Sequence, residues 1–392
     1  MEPNPRTTNT IANPKLLICA DWFDPGVRAG GPIRSCVNLA RLLRQTTDIS
    51  IITSSYDLGA SKPYPEITED SWVNWDTSTK VRYCKSTFRR LVAVSRFIRN
   101  NQGVVVYLNS MFSFAGTLWP LLFTKLTRSK SRIVLAPRGM LKATALSQKR
   151  WKKQPLIWAV RKLGLVTHVH FHATSEDEVT EINDAFGKVS VTLIPNVPQM
   201  PVAMSQREPK RTGFAQLCLL GRVHPIKNIL WLLNAMKYLD ASCELKIIGP
   251  IEDEAYYEKC SKSIEELPNT CSVQFLGPRT ATEVNAILAN ADAMILPTLG
   301  ENFGHAIFEA FSVGTPVIIS DRTIWRNLDA QKAGWDIELS RPEAFLSAIA
   351  EVAGMNAAQH QELRRGAVKI ATDFIQMHSF LSDYQSMFFA TD

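Results

Sequence analysis

The sequence predicts an α/β protein built from two Rossmann-like, doubly wound domains that face each other across a cleft. Its 392 residues suit two domains of ordinary size better than one. Short apolar runs alternate with helix-length segments along the whole chain, as in βαβ units. A polar, proline-bearing stretch at 196–213 interrupts this alternation near the middle, as a linker between two domains does.

Six runs in the first half are typical of buried parallel strands, because they are nearly continuous in apolar and β-branched residues. They read KLLICA, ISIITS, VRYCK, VVVYLNS, RIVLAPR and HVHFHATS, and helix-length segments such as 33–44 and 114–126 separate several of them. The uncharged stretch 104–123 has the length of a membrane span. It divides better into one of these strands and the following helix, since Asn109 and Pro120 interrupt it.

The pattern restarts after the linker. Five further strands are predicted, QLCLLGR, CELKIIGP, SVQFLGP, AMILPT and PVIISD, each followed by a helical stretch: 226–239, 254–267, 281–289, 304–313 and a less regular one from Arg322. In doubly wound sheets, ligands bind at the carboxyl ends of the strands. We therefore expect the functional residues in the loops that follow these strands.

Four segments are expected from these patterns. Residues 1–14 are a disordered tail, 15–198 the first Rossmann-like domain and 199–375 the second. A helix in 376–392 is expected to pack back on the first domain. This tail is polar and lacks the apolar core of a signal peptide. The seven cysteines are scattered without a CxxC pair, which favours a reducing, cytoplasmic location over a disulfide framework or a zinc ribbon.

Charge is distributed very unevenly along the chain. Residues 77–175 contain nineteen Lys and Arg and no Asp or Glu, so the rest of the chain has 25 basic against 37 acidic residues. Such an asymmetry carries information about partners rather than about the fold. The first half is expected to meet something anionic.

The segment LGENFGHAIFEAFSVGTPVIIS follows a predicted strand of the second half. Glu301 precedes a helix, and Gly304 allows a ligand close to the backbone where free N–H groups and the helix dipole favour an anion such as a diphosphate. Glu309, inside the helix, suits two hydrogen bonds from the hydroxyls of a ribose. For two glutamates alone, carboxylates that merely stabilise a helix end are the simpler interpretation.

Two further motifs lie in corresponding loops. GRVHPIKN places Arg222 and Lys227 after the first strand of the second domain, where a planar guanidinium and a mobile ammonium suit a phosphate. In the first domain, Gly30 and Gly31 form a turn of close approach ahead of a helix that begins near Pro32. This turn lacks the GxGxxG spacing and is a weak signal by itself.

Together these motifs resemble the retaining GT-B glycosyltransferases of the large family 4, or group 1, type. The resemblance covers nearly the whole chain: the early GGP turn, PRGML, HATSE, GRVHPIKN, and ENFGHAIFEA with VGTPVI after it. It implies the activity, whereas composition does not. The first domain would hold the acceptor and the second a nucleotide-sugar donor.

The resemblance also implies roles for single residues. Arg222, Lys227 and Glu301 would be catalytic, with the two cations stabilising the departing diphosphate. Donor-binding residues would be Gly31, Asn302, the backbone near Phe303, Gly304, and Glu309 at the ribose. Gly30 and Arg138 would line the acceptor side of the cleft. Arg138 stands about where related enzymes often carry a histidine.

The family transfers sugars with retention at the anomeric carbon, commonly explained by a front-face attack that needs no protein nucleophile. Glu301 and Glu309 are therefore not interpreted as a glycosidase pair. The family needs no metal, and no acidic DxD motif of a metal site stands out, so the expected cofactor is none. His168, His170 and His172 share one face of a strand, but the outer two are about 13 Å apart at ~3.3 Å per residue. Packing is favoured over zinc binding.

Residues 142–165 combine a basic cluster, Lys149, Arg150, Lys152 and Lys153, with Trp151 and Trp158. Tryptophans more often pack than form binding surfaces, yet a basic face with such anchors is typical of interfacial segments. The hypothesis is an enzyme on the inner face of a membrane that glycosylates a glycan or a lipid-linked acceptor in cell-surface polysaccharide or glycolipid synthesis. A solvated face that balances the acidic half is the alternative.

Two rival functions stay open at this point. A non-catalytic nucleic-acid binder would use the same nineteen cations, but it leaves Arg222, Lys227, Glu301 and Glu309 unexplained. Nucleic acid is therefore not the expected partner. A sugar-nucleotide epimerase or hydrolase on the same two-domain plan is the rival among enzymes.

Overall fold

The structure, a computed structural model, describes residues 13–142, 145–146, 150–200 and 207–390. Most of the expected tail at 1–14 lies outside these residues. Two separate, mainly parallel β-sheets are flanked by helices, one in each half of the chain.

The first sheet has eight strands in the order β3-β4-β2-β1-β5-β6-β7-β8. They are β1 (Lys15–Cys19), β2 (Asp48–Ser54), β3 (Trp72–Asn74), β4 (Thr79–Cys84), β5 (Val105–Leu108), β6 (Arg132–Leu135), β7 (Val169–Ala173) and β8 (Ser190–Leu193). All neighbouring strands are parallel except β3 and β4. The edge strands β3 and β8 were not predicted, because they are short and largely exposed.

Helices cover both faces of this sheet. They are α1 (Gly31–Leu43), α2 (Thr87–Asn100), a π-helical turn (Phe114–Leu118) that continues into α3 (Trp119–Leu126), α4 (Arg150–Lys162) and α5 (Glu176–Phe186). Alternate residues of β1 reach the two sides: Leu16 and Ile18 belong to the apolar cluster with α1, Leu17 and Cys19 to the cluster with α2 and α3. The stretch 104–123 divides into strand and helix as predicted, and no helix within the described residues is long and apolar enough to cross a membrane.

The second sheet has six parallel strands in the order β11-β10-β9-β12-β13-β14. They are β9 (Phe214–Leu220), β10 (Ser242–Ile248), β11 (Cys271–Gly277), β12 (Ala293–Leu296), β13 (Val317–Ser320) and β14 (Gly334–Ile337). The helices are a 3₁₀ turn (Pro225–Lys227), α6 (Ile229–Met236), α7 (Glu254–Ile264), α8 (Ala281–Asn290), α9 (His305–Ser312) and α10 (Pro342–Gly354). The first five strands are those predicted from the sequence.

The helix expected from Arg322 is wrong. Residues 322–333 form bends and turns that lead into β14. Asn327 and Lys332 have positive φ angles of 55° and 51°, which a right-handed helix does not accommodate. Trp325 anchors the segment by donating its indole N–H to the carbonyl of Phe303 at 2.8 Å. Tertiary contacts thus override the local pattern here.

The last two helices connect the domains. α11 (Ala357–Gln376) packs on α9, with Ala367 and Ala371 in the core of the second domain. α12 (Phe380–Phe389) instead contributes Tyr384 and Phe388 to the core of the first domain beside α1. α12 therefore returns from the second domain to the first.

Candidate functional site

The loops at the carboxyl ends of both sheets meet across the cleft. Lys227 and Glu301 form a contact within the second domain, with the ammonium 2.5 Å from a carboxylate oxygen and both side chains mostly buried. The carbonyl of Ile226 accepts hydrogen bonds from the amide of Leu299 at 2.8 Å and from the hydroxyl of Thr298 at 3.1 Å. These bonds tie the 3₁₀ turn to the loop before α9, and so bring together two predicted site residues 74 positions apart.

The absence of a side chain at Gly221 leaves room for the side chain of Lys227. A Cβ at Gly221 would lie only 3.0 Å from Cε of Lys227, so the lysine stem runs directly over this glycine. Arg222, the neighbouring predicted cation, forms an ion pair with Glu252 and is about one third exposed. Both predicted phosphate-binding cations therefore already have carboxylate partners, which an incoming diphosphate would have to share or displace.

The loop before α9 is held in place by a backbone hydrogen bond and by aromatic packing. The amide of Glu301 donates to the carbonyl of Arg322 at 3.1 Å, and the ring of Phe303 packs in an aromatic cluster with Trp325 and Phe374. Only the backbone of Phe303 is therefore available to a ligand. Gly304 precedes α9 with φ +78° and ψ +56°, and none of the described side chains caps this helix end. Such an end offers amide groups and a positive dipole to an anion.

Glu309 lies in α9 and faces the first domain. Its carboxylate is 3.3 Å from Nε of Arg34 in α1, and the exposed fractions of the two side chains are 7% and 29%. Burial raises the pKa of the Glu309 carboxyl, and the nearby Arg34 guanidinium opposes that rise. Glu309, the residue predicted to bind the ribose, is thus paired across the cleft with a cation from the other domain.

His305, the first residue of α9, makes a second bridge between the domains. Its Nε2 is 2.9 Å from the hydroxyl of Ser35, and a Cβ added at Gly31 would lie 3.6 Å from the imidazole. Burial lowers the pKa of His305 to about 3, with the cations Arg138 and Arg34 acting in the same direction. The ring is therefore neutral at physiological pH.

Arg138 is held from three sides. It donates to Asn109 Oδ1 and to the hydroxyl of Tyr107, each at 2.7 Å, and to Asn196 Oδ1. Because a guanidinium only donates hydrogen bonds, the Asn196 atom that faces it is the amide oxygen, which fixes the orientation of this amide. Ser35 then donates to the same Asn196 oxygen at 3.2 Å and accepts the proton of His305. The network runs unbroken from α9 of the second domain into the linker.

The network continues behind Arg138. The hydroxyl of Tyr107 is 2.7 Å from Nδ1 of His172, whose Nε2 is 2.8 Å from the carbonyl of Ile194. Since that carbonyl only accepts, Nε2 carries the proton and Tyr107 donates to Nδ1. Burial, together with Arg138, lowers the pKa of His172 to about 3. His172 thus positions Tyr107, in agreement with the packing role predicted for it.

The turn that follows Arg138 is clamped by a buried glutamate. Glu178 in α5 accepts the amide of Gly139 at 2.6 Å and both the amide and the hydroxyl of Thr174 at 2.7 Å. Thr174 in turn accepts a hydrogen bond at 2.8 Å from Nδ2 of Asn302, in the loop before α9 of the other domain. The buried Oδ1 of Asn302 has no partner among the described residues. Lys142 adds a bond to the Glu301 carbonyl at 3.2 Å.

The structure thus adds residues that the sequence reasoning missed: Arg34, Ser35, Thr174, Glu178, Asn196 and His305. A signal existed for two of them. Arg34 and Ser35 follow Gly31 by three and four positions on α1, so all three share one face of that helix. Within the described residues there is also no group of three or more His, Cys, Asp or Glu that could hold a metal ion.

Residues 215–354, from β9 to α10, match the family model of the glycosyl transferases group 1. This match covers most of the second domain. A curated relative, the D-inositol 3-phosphate glycosyltransferase of Corynebacterium glutamicum (strain R), is 32% identical over 108 residues, which are 26% of this chain and 26% of that protein. The chain thus matches about a quarter of that relative's length. The predicted resemblance to group 1 glycosyltransferases is confirmed.

Solved structures extend the likeness to both domains. Sucrose-phosphate synthase from Thermosynechococcus elongatus superposes with a TM-score of 0.64 at 14% identity, over 95% of this chain and 100% of that one. Anabaena Alr3699/HepE in complex with UDP-glucose gives a TM-score of 0.64 at 13% identity, over 95% and 99%. At such identities the likeness concerns the fold, and it confirms the GT-B fold predicted from the sequence.

Proposed function

We propose that the protein is a glycosyltransferase that moves a sugar from a nucleotide-sugar donor to a glycan or lipid-linked acceptor with retention of anomeric configuration. The contact of Lys227 with Glu301, at the edge of the cleft opposite α1, is the observation that carries this proposal. A cation and a carboxylate beside the uncapped start of α9 support the binding of a donor diphosphate and its sugar there.

Each residue has a distinct part in the proposed reaction. Lys227 and Arg222 neutralise the charge that develops on the leaving diphosphate, and Glu301 orients the sugar. Glu309 accepts hydrogen bonds from the ribose hydroxyls. The acceptor hydroxyl attacks from the face of the departing phosphate and passes its proton to the phosphate oxygen, so that no protein nucleophile and no metal ion is required.

The donor class is supported by two comparisons. One relative is named as a glycosyltransferase, and the HepE structure was solved with UDP-glucose. The match of residues 215–354 to the group 1 family model also favours sugar transfer over epimerisation, hydrolysis or nucleic-acid binding. We place the reaction in the cytoplasm at the inner membrane face, in synthesis of a cell-surface polysaccharide or glycolipid, on the strength of the basic first half.

A thermal-shift panel of UDP-, GDP-, ADP- and dTDP-sugars tests the proposal. We expect one nucleotide to raise the melting temperature by several degrees at millimolar concentration, because ligand at 100 times its Kd stabilises the folded state by about 2.7 kcal/mol. The sugar that stabilises most is then offered with candidate acceptors. Stabilisation by none of the four nucleotides, or conversion of the donor without any transfer to an acceptor, would speak against the proposal.

A further inference from the structure

A cavity of about 520 Å³ lies at the opposite end of the first sheet from the cleft, where β6 and β7 begin. Lys125, Arg128 and His168 line it, together with several hydroxyl groups and an apolar floor that includes Leu121 and Ile133. None of its described lining residues is acidic. The cavity thus combines positive charge, hydroxyl oxygens and an apolar floor, and the proposed glycosyl transfer does not use it.

The two cations at this cavity have no carboxylate partner among the described residues. The ammonium of Lys125 donates to the carbonyls of Leu163 and Gly164, the latter at 3.1 Å. Two of its three protons are used in this way, and one is left for a ligand. Arg128 follows α3 with φ +48° and is exposed. Neutral partners position the lysine without cancelling its charge.

Exposed apolar side chains lie next to lining residues of the cavity in the chain and occur again along α4. Trp151 and Trp158 of α4 are 74% and 65% exposed, contrary to the packing expected for them, and Leu126 and Leu163 near the cavity are 72% and 58% exposed. Seven positions separate the two tryptophans, so they lie on the same face of the helix. α4 is the connection from β6 to β7, and its 13 residues span about 20 Å from the cleft end to the cavity end.

We propose that this face docks on an anionic membrane, with the cavity taking the phosphate of a phospholipid headgroup and the tryptophans lying in the interface. Charge complementarity favours this partner, since 77–175 contains no acidic residue. Trp and Leu beside cations are the residues that interfacial helices use. Because α4 leads from the cavity to the cleft, a membrane along it would lie at the edge of the cleft.

Vesicle co-sedimentation of the full chain tests the site. Wild-type protein should bind vesicles of phosphatidylglycerol mixed with phosphatidylcholine at physiological salt, and bind vesicles of phosphatidylcholine alone much more weakly. Lys125→Ala/Arg128→Ala should weaken binding by roughly 30-fold, since each cation near an anionic surface contributes about fivefold. The matched control Lys259→Ala/Lys262→Ala removes the same charge from exposed positions on α7 and should change binding less than twofold.

Trp158→Ala tests the apolar part of the same surface and should weaken binding about tenfold or more, because a large exposed ring is removed without any charge. Equal losses in the cavity variant and the control would overturn the cavity site in favour of nonspecific attraction. Stabilisation by inorganic phosphate that equals stabilisation by the anionic vesicles would overturn the lipid assignment. Tighter binding to duplex DNA or RNA than to the vesicles would also overturn the lipid assignment.

This membrane site and the proposed transferase activity fail separately. The cavity lies at the amino ends of the strands, so Lys125→Ala/Arg128→Ala should keep the thermal shift given by the nucleotide-sugar. Loss of vesicle binding with an intact donor shift supports the site. A lost donor shift in a folded cavity variant contradicts it.

Discussion

Replacement of Glu309 by glutamine separates its role in ligand binding from its role in stability. The side chain keeps its shape but loses its charge, in a position where only 7% of it is exposed. If Glu309 accepts two hydrogen bonds from a ribose, a neutral amide weakens each by about 1 to 1.5 kcal/mol, the difference between charged and neutral acceptors. Donor affinity should then fall by roughly 30- to 150-fold.

Arg34 limits the size of this loss. At 3.3 Å and an effective dielectric constant of about 20, its attraction to Glu309 is about 5 kcal/mol before desolvation is subtracted. A ribose that binds the Glu309 carboxylate weakens part of this attraction, because it competes with Arg34 for the same oxygens. Glu309→Gln removes this competition together with the carboxylate that binds the ribose. Arg34→Met therefore distinguishes the two effects. Arg34→Met should weaken donor binding much less than Glu309→Gln. On acidification, this variant should lose donor binding at a higher pH than the wild type, because the pKa of Glu309 rises further without the guanidinium.

The effect of Glu309→Gln on stability has the opposite sign. Burial raises the pKa of this carboxyl in the folded protein, so the folded state holds the proton more readily than the unfolded chain. The contribution of Glu309 to stability is therefore fully present below the unfolded pKa and is lost as pH rises through the folded pKa. Each unit of net shift corresponds to about 1.4 kcal/mol. Glu309→Gln should unfold like the wild type at acid pH and gain stability relative to it toward pH 8.

Isothermal titration with the stabilising nucleotide-sugar and urea unfolding at several pH values measure both quantities. Glu343→Gln is the control, because it makes the same chemical change in the first turn of α10 on a largely exposed side chain. Donor affinity in Glu309→Gln equal to that of the control would refute the ribose assignment. A variant that is less stable than wild type near pH 8 would show that the ion pair with Arg34 outweighs the cost of burying the carboxylate.

Three further predictions follow from the same geometry. Lys227→Ala and Arg222→Ala should each lower turnover about 10- to 150-fold through loss of a charge-assisted contact of roughly 1.5 to 3 kcal/mol, and normal turnover in both folded variants would make the site assignment wrong. Arg138→Lys should lower the free energy of unfolding by about 2 to 4 kcal/mol in urea titration, because an ammonium cannot reach all three planar hydrogen-bond partners. Gly304→Ala should lower the free energy of unfolding by about 1 to 2 kcal/mol and weaken donor binding, since its Cβ would lie 2.9 Å from Ile307 at φ +78°. The control Gly354→Ala adds a methyl group in open space and should leave both quantities unchanged.

The sequence was sufficient where function follows from topology. Parallel strands place their carboxyl ends on one edge, so GRVHPIKN after β9 and the loop after β12 had to lie close together. The contact of Lys227 with Glu301 follows from this arrangement and from the type of loop that each motif forms. The same reasoning holds for central strands such as β5, β12 and β13, whose apolar runs are continuous because they are buried on both faces.

Contacts between the domains could not be predicted from the sequence in this way. Arg34 meets Glu309, and Ser35 meets His305, only because the two sheets close at one particular angle, which no local pattern of residues encodes. The left-handed backbone of Arg138, at φ +59°, is equally invisible in the sequence, because a non-glycine residue adopts it only where surrounding bonds impose it. The failed helix after Arg322 has the same origin in long-range contacts.

At the proposed donor site, the contacts that close the cleft are also those that a donor would have to rearrange. Glu309, Glu301 and His305 all carry contacts to the first domain, through Arg34, Lys142 and Ser35. A nucleotide-sugar that takes the ribose and sugar positions exchanges protein-to-protein contacts for protein-to-ligand ones, and so couples donor binding to the angle between the domains. Arg138 connects Asn196 of the linker to this set of contacts, because Arg138 and Ser35 both donate to the Asn196 side-chain oxygen. Donor affinity and closure should therefore change together in variants of Arg34, and separately in variants of Lys227, whose partner lies in its own domain.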